Sequence, residues 1–187
     1  MLLAATSLQA QITIGGNVYG GGNKGDTKGK TAVTVRAGDI DGSVFGGARQ
    51  ANVDGSAFVN IDGEHMSGDI LINYVYGGND IAGTIGASAT IPDKLIEADA
   101  NGITNSYNAF VLTTKERTVT TGTGVTQPYK MYIGQLFGGG NGDYTYSAKK
   151  PNGKYDVTVD GTTTQDVDKP ELGKTYIEMR GGSCVIL

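Results

Sequence analysis

Val18-Tyr19-Gly20-Gly21, Val44-Phe45-Gly46-Gly47, Val75-Tyr76-Gly77-Gly78 and Leu136-Phe137-Gly138-Gly139 are four copies of one phrase: apolar, aromatic, Gly, Gly. The aromatics at 19, 45, 76 and 137 stand 26, 31 and 61 residues apart, so the repeat is roughly 30 residues long and the last step is close to a doubled one. Between the phrases lies a second element, Ala32-Val33-Thr34-Val35-Arg36 and Phe58-Val59-Asn60-Ile61-Asp62, in which apolar and polar residues alternate as in a half-buried strand. Its phase is fixed. Val33 and Val35 follow Tyr19 by 14 and 16 residues, and Val59 and Ile61 follow Phe45 by the same 14 and 16.

Each such strand runs out into Gly38 or Gly63 and is followed by a further apolar run such as Ile70-Leu71-Ile72. Phe110-Val111-Leu112 and Tyr155-Asp156-Val157-Thr158-Val159 read as the same strand displaced by insertions. Pro92 to Ala100 opens with a Pro and closes before Asn101-Gly102, which predicts one short helix within an insertion over 87–106. A unit with two or three short strands cannot bury its own apolar face, so neighbouring units must supply the core. The expectation is an all-β fold, a right-handed parallel β-helix of about five to six coils, with equivalent strands stacked in parallel. A β-sandwich is the rival arrangement, and the regular offsets argue against it.

The structural anchors of such a repeat are Tyr19, Gly20, Gly21, Phe45, Gly46, Gly47, Tyr76, Gly77, Gly78, Phe137, Gly138 and Gly139. The rings are expected to form one inward column. The glycines are expected at corners that need positive φ or close backbone approach.

Composition bounds the rest. The 187 residues include 31 Gly and 4 Pro, 38% are hydrophobic and none is Trp, which disfavours long helices and a thick core yet is too apolar for a disordered chain. Fifteen Lys and Arg against 19 Asp and Glu leave a net charge of -4 with no basic cluster, so nucleic acid is excluded as a partner. No stretch is long and apolar enough for a membrane-spanning helix. Cys184 alone cannot close an internal disulfide, and with His65 as the one histidine a structural zinc lacks ligands. Residues 1–10, MLLAATSLQA, read as the remnant of a secretory signal ending at Ala10, with an apolar cap of the fold as the rival. Residues 11–187 then form a single domain, read as a truncated piece of a longer repeat chain.

The phrases VYGGGN, VFGGA, VYGGND and LFGGGNG, with GGNDIAGTIG and TYIEMRGG, resemble repeats of secreted or surface-exposed right-handed β-helix proteins of gut Bacteroidetes. The resemblance covers most of the chain after residue 10 and implies an adhesin-like protein displayed outside the cell; it carries no catalytic residue.

Motifs for chemistry are weak. Gly20-Gly21-Gly22-Asn23-Lys24-Gly25 satisfies the dinucleotide pattern, but the turn-rich Asp26 to Lys30 follows where a helix is required. Gly29-Lys30-Thr31 ends like a phosphate loop, yet Lys24 stands where its first Gly belongs. Asp26, Asp41, Asp54, Asp80 and Asp143 sit at expected turns without the nine-residue spacing of calcium-binding repeats, and His65 is read as a turn residue. No metal and no cofactor is therefore expected. The expected function is a surface stalk or adhesion module that binds glycan or a surface protein without catalysis, with further repeats of a longer parent chain as neighbours. Tyr107, Tyr129, Tyr132, Tyr144 and Tyr146 are the rings expected to stack on sugars. A carbohydrate-active enzyme and a plain structural spacer are the alternatives.

Overall fold

The computed structural model describes residues 11–86, 107–121, 124–126 and 129–184. In chain order the strands are β1 (Thr13–Ile14), β2 (Val18–Tyr19), β3 (Thr31–Val35), β4 (Gly38–Phe45), β5 (Ala57–Ile61), β6 (Ile70–Tyr76), β7 (Ala109–Thr113) and β8 (Val119–Thr121). They continue as β9 (Gly124–Thr126), β10 (Met131–Phe137), β11 (Thr145–Tyr146), β12 (Tyr155–Val159), β13 (Thr162–Val167), β14 (Thr175–Met179) and β15 (Ser183–Cys184).

Two sheets are parallel and built from equivalent parts of successive repeats. One runs β1-β4-β6-β10-β15 with β2 also on β4, and the other runs β14-β7-β5-β3. The register follows the sequence phrases: Val18 and Tyr19 pair with Val44 and Phe45, which pair with Val75 and Tyr76, which pair with Leu136 and Phe137. In the second sheet Val33, Val59, Val111 and Ile177 stand in one row.

Alternation then decides the faces. Val44, Val75, Ile40, Ile72 and Ile133 of the first sheet meet Val33, Val35, Val59, Ile61 and Val111 of the second in one aliphatic cluster. Every buried member is aliphatic or Met, and removing a methylene from this cluster would leave a cavity.

The expected right-handed parallel β-helix of five to six coils is corrected by this architecture. The described residues are all-β, but their strands divide among four separate sheets, and two of these are antiparallel: β11-β12-β13 and the hairpin β8-β9. No helix occurs among the described residues. The helix expected over 92–100, the 87–106 insertion that contains it and the segment 1–10 lie outside the described residues.

Tyr155–Val159 is not a displaced copy of the repeat strand. Asp160 (φ 49°) and Gly161 (φ 73°) form a two-residue turn that folds β12 back on β13, so the segment pairs locally and antiparallel.

Of the two expected reasons for the phrase glycines, close backbone approach applies and positive φ does not. None of the eight has positive φ. What all but Gly139 permit is approach: a Cβ on Gly46 would lie 2.5 Å from the Gly77 carbonyl oxygen, and one on Gly77 would lie 2.5 Å from that of Gly138. Gly46→Ala is therefore expected to cost about 1 to 3 kcal/mol in urea denaturation, whereas Gly25→Ala, whose Cβ would meet nothing within 4 Å, stays within about 0.5 kcal/mol of the parent.

Candidate functional site

The aromatic phrases stack, but away from the aliphatic core. Because Val44 and Val75 enter that core, the period of two turns Phe45 and Tyr76 to the opposite face of the same strands. There Tyr19, Phe45, Tyr76 and Phe137 form a continuous ladder with ring centroids 5.1, 4.9 and 4.9 Å apart and planes within 11° of parallel. The expected column of rings is present, on the sheet face opposite the aliphatic cluster, with Phe45 buried at 1% exposure and Phe137 39% exposed at the end. Its inner rings have both faces covered by neighbours, so they are structural and cannot stack on a sugar.

Asp80 anchors this ladder to the β11–β13 sheet. Its side chain is buried, 1% exposed. Oδ2 accepts from the Tyr19 hydroxyl at 2.7 Å, and Oδ1 accepts from the Tyr144 hydroxyl at 2.7 Å and from Asn141 Nδ2 at 3.0 Å. Tyr146 donates its hydroxyl to the Ile81 carbonyl, and Ile81, Ala82 and Val157 form a small core beneath Tyr144 and Tyr146.

Burial, joined by the Asp80 charge, pushes Tyr146 up to about 12. Burial is also the main reason that Tyr19 is pushed up to about 12; the Asn17 hydrogen bond opposes it and the Asp80 contact adds to it. Burial and Asp80 push Tyr144 up as well. These hydroxyls hold the fold together and are not free for ligand.

A tyrosine whose pKa is raised by folding contributes stability that is complete below the unfolded value of about 10 and disappears as pH climbs through the folded value. Urea unfolding compared at pH about 9 and about 11.5 should accordingly show a smaller alkaline loss in Tyr144→Phe than in the parent.

The expected sugar-facing tyrosines do not converge. Tyr144 and Tyr146 belong to the Asp80 clasp. Tyr107 lies against Tyr176, centroids 5.3 Å apart, beside Phe58, Phe110 and Leu112. Tyr129 and Tyr132 do come together, in an open groove of about 500 Å³ with Leu71, Glu116, Lys130 and Ser183 on its walls. The ladder partners of Tyr132 are Leu71 and Ser183, so no aromatic neighbour is paired across either face of its ring, and it is 40% exposed. Tyr129 contributes from the other side and packs partly on the aliphatic core.

The sequence reading missed Leu71, Glu116 and Lys130 as groove residues. Leu71 precedes the third phrase whereas Glu116 and Lys130 follow it, and only the parallel register brings Leu71 beside Tyr132. It also missed Tyr74, 41% exposed, whose register partners are Ser43 and Gln135.

His65 is not isolated. Its Nδ1 lies 2.9 Å from Oδ1 of Asp62, and Arg36 Nε donates to the other Asp62 oxygen at 2.8 Å. Burial pushes the Asp62 carboxyl up, but the hydrogen bonds from Arg36 and His65 outweigh it and hold the carboxyl below its ordinary value. A carboxyl lowered by folding stabilises above its unfolded pKa of about 3.9 and loses that contribution as pH falls through the folded value. Asp62→Asn should therefore flatten the acid side of the stability curve below pH about 4, read by thermal melts.

Among the described residues no group of three or more His, Cys, Asp or Glu is placed to hold a metal, and no helix is long and apolar enough to cross a membrane. No protein family, no curated protein and no solved structure matches the chain.

Proposed function

We propose that the chain is a non-catalytic glycan-binding module, carried at a cell surface or secreted. The observation that supports this reading is the Tyr129–Tyr132 groove. A pyranose presents a C–H face that packs on an aromatic ring and a rim of hydroxyls that need donors and acceptors. The groove offers two tyrosine rings, the Leu71 side chain, and Glu116, Lys130 and Ser183 as polar partners.

Binding is favoured over cleavage because glycoside hydrolysis uses two carboxyl groups across the scissile bond, and Glu116 is the one carboxylate among the described groove residues. Surface display rests on the resemblance of the repeat phrases and on the apolar segment 1–10.

A glycan array followed by titration calorimetry tests the reading. The parent is expected to bind at least one uncharged oligosaccharide, and Tyr132→Ala is expected to weaken it by about tenfold or more with an unchanged melting temperature. If no glycan binds, the chain is a spacer. If polysaccharide gains reducing ends or unsaturated products, it is an enzyme.

A further inference from the structure

A second cleft, distinct from the tyrosine groove, lies where the corner after the second repeat phrase meets the β12–β13 hairpin. It has a volume of about 160 Å³ and is lined by Lys24, Arg49, Gln50, Asp160, Thr162 and Thr164. Both walls are fixed. The Arg49 N–H donates to the Gly22 carbonyl, and the Arg49 carbonyl accepts from the N–H groups of Ile81 and Ala82. The Gln50 N–H donates to Asn23, and on the facing wall the Thr164 hydroxyl reaches Gln50 Oε1 at 3.4 Å.

Among the described residues, neither cation of this cleft is neutralised by a carboxylate in contact with it. No ion pair among the described residues involves Lys24 or Arg49, although Asp160 lines the same space. Of the Arg49 guanidinium, Nη1 donates to Asn23 Oδ1 at 3.2 Å, which orients it. One oriented guanidinium and the exposed Lys24 ammonium against one carboxylate, with Thr162 and Thr164 also on the lining, form a local positive site on a chain whose net charge is -4. The overall field repels polyanions, so any anion held here is held by this cleft.

We infer that the cleft binds an anionic group, a sulfate ester or a uronate carboxylate, borne by a polysaccharide. Arg49 supplies the planar fork that matches two oxygens of either group, and Lys24 supplies a point charge. That the anion is carried by a glycan rests on the proposed function; that the cleft takes an anion does not.

Calorimetry on the full chain tests it with four probes: an oligogalacturonate, a sulfated oligosaccharide, an uncharged oligosaccharide of the same length, and inorganic sulfate. At least one charged oligosaccharide should bind about tenfold tighter than the uncharged one and lose that advantage at high salt. Which charged probe does so identifies the source of the anion. Arg49→Gln and Lys24→Gln should each remove most of the advantage while leaving uncharged binding and the circular dichroism spectrum as in the parent. Tyr132→Ala should retain the response to inorganic sulfate.

Equal binding of charged and uncharged probes, or charged binding unchanged in both cleft variants, overturns the inference. Binding of charged probes or sulfate that is sensitive to Arg49, in a protein that binds no uncharged glycan, upholds the cleft and counts against the tyrosine groove instead.

Discussion

Everything in the molecule depends on how closely the backbone of one repeat phrase lies on the next. The Gly20 N–H donates to the Phe45 carbonyl at 3.0 Å, Gly46 to Tyr76 at 2.9 Å and Gly77 to Phe137 at 2.9 Å, while Gly21, Gly47 and Gly78 continue the same step at 2.9, 3.1 and 2.9 Å. These bonds satisfy the main chain where the strands turn out of their sheet, a place where unpaired groups would otherwise be buried. They also lock register. Once the glycine pairs are set, the aliphatic residue of each phrase faces the aliphatic core and the aromatic takes the opposite face of the strand, because the side-chain period is two. The valine cluster and the ring ladder are consequences of a single backbone contact.

Function is then left to what the insertions bring to this frame. The Asp80 carboxylate takes a hydrogen bond from Tyr19, in the first phrase, and from Tyr144, far along the chain, so the β11–β13 sheet is tied to the repeat by charge-assisted bonds as well as by the contacts around Ile81. The two candidate sites lie at different junctions. The tyrosine groove lies along β10 and the segments flanking it, whereas the Lys24–Arg49 cleft opens between a repeat corner and the hairpin. The groove takes Leu71, Tyr132 and Ser183 from the parallel sheet itself, whereas the cleft needs the hairpin.

Much of the frame was legible because identical residues recur at fixed offsets. The 14- and 16-residue intervals from Tyr19 and Phe45 placed Val33 and Val59 in one row, and the observed pairing of those residues has that register. The division into four sheets was not legible. Tyr155–Val159 carries the same alternation as a repeat strand, and only the positive φ at Asp160-Gly161 decides that it turns back on itself. Alternation also cannot say how two apolar faces divide, so the placing of the ladder rings on the face opposite the aliphatic cluster is read from the structure alone. Of the five expected tyrosines, Tyr129 and Tyr132 meet in a groove, while Tyr144 and Tyr146 spend their hydroxyls on Asp80 and Ile81. Pairing of a hydroxyl with a residue some 60 positions away leaves no local signature in a sequence.

The contact between glycines constrains the phrases and leaves the stretches between them almost unconstrained in length. Neighbouring aromatics that touch in the ladder are separated by 26 residues in one step and by 61 in another, yet the ring spacing changes only from 5.1 to 4.9 Å. Closing the longer connection costs only a few tenths of a kcal/mol to about 1 kcal/mol more, since the entropy of closure grows with the logarithm of length. A chain built this way can acquire a new hairpin or binding loop between two phrases without renegotiating its core, so diversification of its surface is cheap while the glycine corners stay unaltered.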